Sequence, residues 1–240
     1  MIFELLHVSV RNTFGQMVAK LARFRDRSDA GRRLANALKA ELSSENLCVL
    51  ALPRGGLPVA YEVAVELEAP LDILVVRKLG APFQPELAVG AVASGGITVY
   101  NERILLQLGL NEADLTAVLE RERAELERRE RAYRGDRPFP SLEGKTVILI
   151  DDGIATGATM RAAVDAVRAM EPARVIVAVP TAAEDSVRIL RRSADKVLAL
   201  STPEPYVAVG AWYEHFPQLQ DAEVIEILNS AWAREPPQGG

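Results

Sequence analysis

Two adjacent acidic residues stand where a short apolar strand is predicted to end. Residues 146–150 read TVILI, and Asp151 and Asp152 follow them directly. Carboxylate oxygens accept hydrogen bonds from neighbouring hydroxyl groups, and they also hold a hydrated Mg²⁺ ion. Ligands of an open α/β sheet bind at the carboxyl ends of its strands, so a diol or a metal ion is expected here.

The segment after the acids has the composition of a phosphate-binding turn. Residues 155–159 read ATGAT and lead into a helix predicted over about 158–170. A helix start offers unpaired N–H groups and a partial positive charge. Gly157 lets the backbone approach a ligand closely, and the hydroxyls of Thr156 and Thr159 add donors. Acids and turn together indicate a ribose 5-phosphate site. The alternative is an ordinary helix cap after a turn, for which two adjacent acids are not needed.

The rest of the chain alternates apolar runs with segments of helical character. The apolar runs predicted to be buried strands are residues 47–52, 71–76, 146–150, 174–180 and 196–200. The segments predicted as helices are residues 28–42, with Ser28 or Asp29 as the cap, 57–68, 101–108, 111–133, 158–170, 184–192 and 221–229. This alternation implies an α/β fold, in which helices cover both faces of a parallel sheet.

Composition excludes several classes of protein. Of the 240 residues, 49% are hydrophobic and 25% charged, which are ordinary globular values. Cys48 is the only cysteine, which excludes an intramolecular disulfide, and His7 and His215 are too few for a multi-histidine metal centre. The net charge of −5 makes nucleic acid an unlikely partner. With no signal-peptide pattern and no run of ~20 apolar residues, we expect a cytoplasmic protein without a membrane partner.

Residues 147–160, VILIDDGIATGATM, resemble the phosphoribosyl pyrophosphate (PRPP) motif of type I phosphoribosyltransferases. The likeness extends over residues 26–230, where LPRGGLPVA, VVRKLG, QPELAVGAVASGG and VGAWY are similar to a bacterial branch of that family. The resemblance implies a parallel sheet flanked by helices, a flexible flap at about 80–100 and a small C-terminal hood at about 203–230. Residues 1–25 are then an N-terminal extension, and residues 231–240 a disordered tail.

The resemblance also assigns roles to residues. Asp151 and Asp152 would bind the ribose hydroxyls, act in catalysis and hold Mg²⁺. The residues expected at the 5-phosphate are Ala155, Thr156, Gly157, Ala158 and Thr159, and Gly153 is also expected to bind substrate. The residues expected at the pyrophosphate are Arg54, Gly55 and Gly56, with a non-proline cis peptide before Arg54. Arg77 and Lys78 are expected to contact either the pyrophosphate or the flap. Two simpler interpretations stay open: an ordinary turn with a solvated arginine at Arg54, and a strand that runs out into solvent at Arg77 and Lys78.

The implied reaction transfers phosphoribosyl from PRPP, with Mg²⁺, to a small nitrogenous acceptor such as a nucleobase, and releases pyrophosphate. A homodimer is expected. The alternative is a non-enzymatic regulatory protein that binds PRPP, since fold does not fix function. The flap would close over a cationic ribose that water could trap, and Glu86 in it is the candidate base. Hypoxanthine–guanine-type relatives carry an aspartate at the position of Ala155, so these two purines are predicted to be poor acceptors.

Two further segments allow more than one interpretation. Arginines and acids nearly balance over residues 120–137, with Glu125–Arg129, Glu127–Arg131 and Glu130–Arg134 at i,i+4 spacing. This favours a solvated, salt-bridged helix face over a nucleic-acid surface. In the hood, Trp212, Tyr213 and Phe216 are either packing residues or a stacking surface for the acceptor, and packing is favoured.

Overall fold

The computed structural model describes residues 23–42 and 46–234, and its centre is a parallel sheet of five strands. The strands are β1 (Leu47–Ala51), β2 (Leu71–Ile73), β6 (Thr146–Ile150), β7 (Arg174–Thr181) and β8 (Lys196–Ser201). Their order in the sheet is β2-β1-β6-β7-β8, and every pair is parallel. The predicted α/β architecture is confirmed, and strand β6, which ends at the two acids, occupies the middle of the sheet.

Seven α-helices are found in the described residues. They are α1 (Arg27–Lys39), α2 (Gly56–Glu66), α3 (Glu102–Leu108), α4 (Thr116–Arg134), α5 (Ala158–Arg168), α6 (Glu184–Leu190) and α7 (Asp221–Trp232). All seven predicted helices are present, with ends shifted by a few residues. The cap of α1 was predicted wrongly: Asp26 accepts the hydrogen bond from the Asp29 backbone, so the helix begins before Ser28. The carboxylate of Asp26 can reach that N–H because its own backbone is extended.

The core lies on both faces of the parallel sheet because side chains of each strand point alternately to either face. In β6, Ile148 and Ile150 pack with α1, α2 and α7, while Val147 and Leu149 pack with α5 and α6. All four side chains are fully buried. The central strand is therefore fixed from both sides, and so is the point at which it ends.

The second predicted strand, residues 71–76, is in fact two strands in two different sheets. Strand β2 stops at Ile73, and β3 (Val76–Ala81) begins an antiparallel sheet with β4 (Gln84–Ala93) and β5 (Ile97–Tyr100). The apolar run continues through the link between them because Leu74 and Val75 are also buried. A continuous hydrophobic run therefore does not reveal where one sheet ends and the next begins.

Most of the predicted flap, residues 80–100, lies in this antiparallel sheet. Its first turn lies between Ala81 and Gln84, and β4 pairs with both neighbours. Residues 82–86 are exposed, while Val89 and residues 91–94 are buried. The sequence predicts a flexible flap here, and the structure forms three paired strands.

Helix α4 packs against the antiparallel sheet, so the predicted solvated face is only partly correct. The pair Glu125–Arg129 is present on the surface at 2.8 Å. Arg134, however, is buried, and its Nε donates to Asp72 at 3.1 Å while Nη1 donates to Glu130 at 2.9 Å. Charged residues at the end of this helix therefore reach into the core.

The predicted terminal segments lie mostly outside the described residues. Of the N-terminal extension, residues 23–25 are described, and Phe24 forms a parallel bridge with Tyr213 of the hood. Of the predicted tail, residues 231–234 are described, and α7 continues to Trp232. None of the described helices is both long and apolar enough to span a membrane.

Candidate substrate site

The two acids lie at the carboxyl end of β6, as predicted, and they contact each other. The backbone N–H of Asp152 donates to Oδ1 of Asp151 at 2.9 Å. Burial raises the pKa of Asp151 well above its usual value, and the charge of Asp152 raises it further. Burial also raises the pKa of Asp152, but the guanidinium of Arg27 opposes that rise. The first proton taken up by the pair therefore belongs on Asp151, and the negative charge stays on Asp152.

Arg27 is a site residue that the sequence did not reveal. Its Nε donates to Oδ2 of Asp152 at 2.9 Å, and its Nη1 donates to the carbonyl of Pro217 at 2.8 Å. The guanidinium carbon lies 3.8 Å from the ring centroid of Phe216. Arg27 therefore joins the start of α1, the end of β6 and the hood at one point.

The hood aromatics pack around this arginine. The Phe216 and Tyr213 ring centroids lie 4.8 Å apart, and those of Tyr213 and Phe24 lie 5.5 Å apart. The Tyr213 hydroxyl donates to the backbone carbonyl of Asp152 at 2.5 Å. Since Arg27 covers one face of Phe216 and Tyr213 lies against the ring as well, these contacts support the packing interpretation for both aromatics.

Three polar atoms, one at the end of β7 and two in the hood, are buried without a hydrogen-bond partner in the described part of the chain. They are Oγ1 of Thr181, the hydroxyl of Tyr206 and Nε1 of Trp212. Burial raises the pKa of Tyr206 to about 12, although its hydroxyl lies close enough to Thr181 for that side chain to oppose the rise. A buried polar atom usually has a water or ligand partner, so these three atoms can form hydrogen bonds to such a partner.

The turn after the acids has the geometry of an anion-binding helix start. Gly157 has φ +70°, a left-handed conformation that favours glycine, and the first turn of α5 follows it. The Arg161 N–H donates to the Gly157 carbonyl, so the N–H groups of residues 158–160 precede the first hydrogen bond of the helix. Ser186 fixes the turn by donating to the Ala155 carbonyl at 2.6 Å. Thr156 and Thr159 are both exposed, so both hydroxyls can reach a phosphate.

The loop after β1 lies directly against the acids. The peptide bond between Pro53 and Arg54 is cis, as predicted. A Cβ atom on Gly55 would lie 2.1 Å from Oδ2 of Asp152, and one on Gly56 would lie 2.6 Å from the carbonyl oxygen of Ile150. Only glycine allows this approach, so the structure brings the predicted pyrophosphate loop and the predicted diol-binding acids into contact.

The other predicted ligand residues line two cavities of about 430 Å³ each. One contains Arg77, Lys78 and Thr159 in its wall, and the other contains Arg54, Gly55 and Asp152. Arg77 is held by Glu122, which accepts from its Nε at 2.9 Å and from its Nη2 at 2.6 Å. Lys78 is exposed and forms no ion pair within residues 23–42 and 46–234. Neither residue ends a strand of the parallel sheet, because both belong to β3.

Glu86 lies near the start of β4, where it is exposed and outside the walls of both cavities. Its role as a base therefore stays a prediction that needs the hairpin to move toward the acids.

Arg54, in contrast, lies in a cavity wall and has a weak partner, because its Nη1 is 3.7 Å from the carboxylate of Asp221. That contact is long and exposed, so it leaves the guanidinium available to an anion.

The acids also suit Mg²⁺. The described residues contain no group of three or more His, Cys, Asp or Glu side chains that could hold a metal ion by themselves. Mg²⁺, however, is typically held by one or two carboxylates together with water and substrate phosphates. Asp151 and Asp152 supply carboxylates of this kind beside a phosphate-binding turn, so the donor set fits a metal ion that arrives with its substrate.

The family of the protein follows from this geometry and from comparison with known proteins. A family model described as the phosphoribosyl transferase domain matches residues 18–208. The match covers more than half of the chain and includes β6, the acids and the turn. The chain therefore belongs to the phosphoribosyl transferase family.

Relatives extend this similarity. Two Mycobacterium tuberculosis proteins, from strains CDC 1551 / Oshkosh and ATCC 25618 / H37Rv, are provisionally named phosphoribosyl transferases and are each 47% identical over 208 residues. The match covers 87% of this chain but 47% of each relative, so the chain spans about half of their length. The crystal structure of TT1426 from Thermus thermophilus is 44% identical and covers 87% of this chain and 98% of that one, with a TM-score of 0.79.

Proposed function

We propose that the protein transfers the 5-phosphoribosyl group of PRPP to a nitrogen atom of a small acceptor and releases pyrophosphate. One observation carries the proposal: the acids at the end of β6 lie between a phosphate-binding turn, residues 155–159, and a glycine loop that touches Asp152. A ribose that carries a phosphate at C5 and a diphosphate at C1 needs these three features side by side. Membership in the family supports the same conclusion.

The chain's own residues would act mainly by positioning and by charge. The turn holds the 5-phosphate through N–H groups and threonine hydroxyls, and Arg54 faces the diphosphate. As the bond from C1 to the diphosphate breaks, positive charge develops on the ribose. The carboxylate of Asp152, kept ionised by Arg27, lies where it can stabilise that charge. When bound, Mg²⁺ would neutralise the diphosphate, with Asp151 and Asp152 as the residues that hold it.

Titration calorimetry with PRPP and with ribose 5-phosphate, each with and without Mg²⁺, tests the binding step. Asp152→Asn should weaken PRPP binding and lower any turnover by about a hundredfold. The matched control is Asp185→Asn on α6, because its carboxylate is exposed and pairs with Arg188 on the surface. Equal PRPP affinity in the parent and in Asp152→Asn would contradict the assignment of the acids.

Pyrophosphate release across a panel of nitrogenous acceptors tests the transfer step. Hypoxanthine and guanine should give little or no release, because Ala155 cannot exchange a proton with the purine. If PRPP binds tightly and no acceptor gives release, the protein is a PRPP-binding regulator and the proposed transfer is wrong.

A further inference from the structure

The cavity beneath the hood contains an arginine with a fixed orientation. Arg27 is 8% exposed, and Asp152, the Pro217 carbonyl and the Phe216 ring hold its guanidinium from different directions. Guanidinium is planar and always charged, so such contacts fix the direction of its remaining donors as well. Arg27 also belongs to the wall of the second 430 Å³ cavity, the one that contains Arg54 and Asp152.

This arginine has hydrogen-bonding capacity left over. A guanidinium has five N–H donors. The two hydrogen bonds that Arg27 forms use Nε and Nη1, and Nη2 finds no acceptor among the described residues. Two donors on a fixed nitrogen are therefore free for a ligand in the cavity.

The charges of the cavity wall favour an anion. The ionisable residues in this wall are Arg27, Arg54 and Asp152. Asp152 is already neutralised by Arg27, while Arg54 has only a 3.7 Å contact with an exposed carboxylate. The other lining side chains include Val209, Phe216, Pro217 and Leu219, which suit the edge of a flat apolar ring. The wall thus has an excess of positive charge beside apolar surface.

From this geometry we infer that the acceptor is a heteroaromatic acid, whose carboxylate is bound by Arg27, while Arg54 faces the diphosphate. This inference rests on the proposed function. A carboxylate is the planar anion that matches a guanidinium, and its ring would lie along the apolar wall with the nitrogen toward the ribose. Arg27 is then a specificity-determining residue, and it also positions Asp152.

Acid and amide pairs of the same shape test the inference. The probes are nicotinate and nicotinamide, imidazole-4-carboxylate and its amide, and orotate and its amide. Their binding is measured by titration calorimetry on the full chain, with and without saturating pyrophosphate and Mg²⁺. We expect at least one acid to bind about tenfold or more tightly than its amide, as a charge-assisted hydrogen bond requires. The preference should persist when pyrophosphate is present.

Variants then identify the residue responsible. Arg27→Gln should abolish the preference for the acid, and Arg27→Lys should restore part of it through charge alone. The matched control is Arg33→Gln, further along α1, where the side chain pairs with Asp29 on the surface. It should leave the preference unchanged. Thermal unfolding shows whether each variant is folded. If Arg27→Gln does not fold, Arg27→Lys carries the test, because it should show a smaller preference for the acid than the parent does.

The outcomes separate the inference from the proposed function. Equal binding of acids and amides, no binding of any acid, or a preference that survives in Arg27→Gln would overturn the inference while PRPP still binds. A preference that disappears when pyrophosphate is added would also overturn it, because the cations would then serve the diphosphate. If neither PRPP nor ribose 5-phosphate binds, it is the proposed function that fails.

Discussion

Replacing Gly55 with alanine should disturb the carboxylate of Asp152, because the three heavy atoms nearest to the added Cβ all belong to it. The added Cβ would lie 2.1 Å from Oδ2, 2.6 Å from Cγ and 3.0 Å from Oδ1 of Asp152. The backbone of Gly55 has φ −60° and ψ −38°, which alanine adopts without strain. Without the contact, the substitution would be neutral or would stabilise the fold by about 0.4–1 kcal/mol. Any loss of stability therefore measures the contact with the carboxylate.

The carboxylate cannot simply move aside. Its Oδ2 accepts from Arg27, which is buried between Phe216 and the Pro217 carbonyl. We expect the cost of overpacking, about 1–3 kcal/mol. For a chain of this size that lowers the melting temperature by roughly 2–12 °C, at about 2–4 °C per kcal/mol. The displaced carboxylate should also weaken ribose 5-phosphate binding and lower any phosphoribosyl transfer by about a hundredfold, a loss of rate that a 1 Å misplacement can cause.

A double-mutant cycle with Asp152→Ala tests whether the contact with the carboxylate causes the loss of stability. Asp152→Ala removes the three atoms that the new methyl group would meet, so adding Gly55→Ala in that background should cost nothing or stabilise slightly. Thermal and denaturant unfolding of the parent, both single variants and the double variant give the coupling energy. If the two changes are additive within about 0.5 kcal/mol, the contact is not the cause and the geometry of the loop is wrong.

Other parts of the structure give three more predictions. Thr159→Val should weaken ribose 5-phosphate and PRPP alike by about tenfold or more, because a hydroxyl donor to a charged phosphate is lost; unchanged affinities by calorimetry would contradict this. Asp151→Asn should raise the melting temperature at pH 8 and not at pH 4, because the raised pKa of Asp151 means that its contribution to stability falls as the pH rises; a gain independent of pH would contradict it. Arg134→Gln should cost roughly 3–5 kcal/mol by leaving Asp72 buried and unpaired, while Arg128→Gln on the exposed face should leave the melting temperature unchanged.

Features that depend on residues close together in the chain could be predicted from the sequence. Strand β6, the acids and the turn at Gly157 follow one another in the chain, so their types and order were enough to predict that they lie together at the end of the strand. The cis peptide before Arg54 was likewise predicted by resemblance in a short motif. The boundary between β2 and β3 could not be predicted, because buried residues continue through it and neither hydrophobicity nor length marks the change of sheet.

Interactions between distant residues could not be predicted. In the sequence, Arg27 is one of several arginines near the start of a helix, and nothing there distinguishes it from Arg32 or Arg33. Its function as a site residue depends on Asp152, 125 residues away. The sequence also suggests that Asp152→Asn is nearly neutral for stability, since the two side chains have the same shape. The structure predicts a loss of stability, because the charge that offsets a buried guanidinium would disappear.

The contacts of Arg27 also determine when, during its synthesis, a new chain can complete the cavity beneath the hood. Its partner Pro217 is synthesised 190 residues later, which takes roughly 10–40 s at about 5–20 residues per second. The apolar face of α1 includes Leu34 and Leu38. During that interval the strands and helices that pack against this face have not yet been synthesised. A ribosome-bound fragment that ends before the hood therefore has the acids and the turn at Gly157 but lacks residues 209 and 216–219 of the cavity wall around Arg27. Ribosome-bound chains of increasing length should gain phosphate binding first and acceptor binding only after Leu219 has left the exit tunnel.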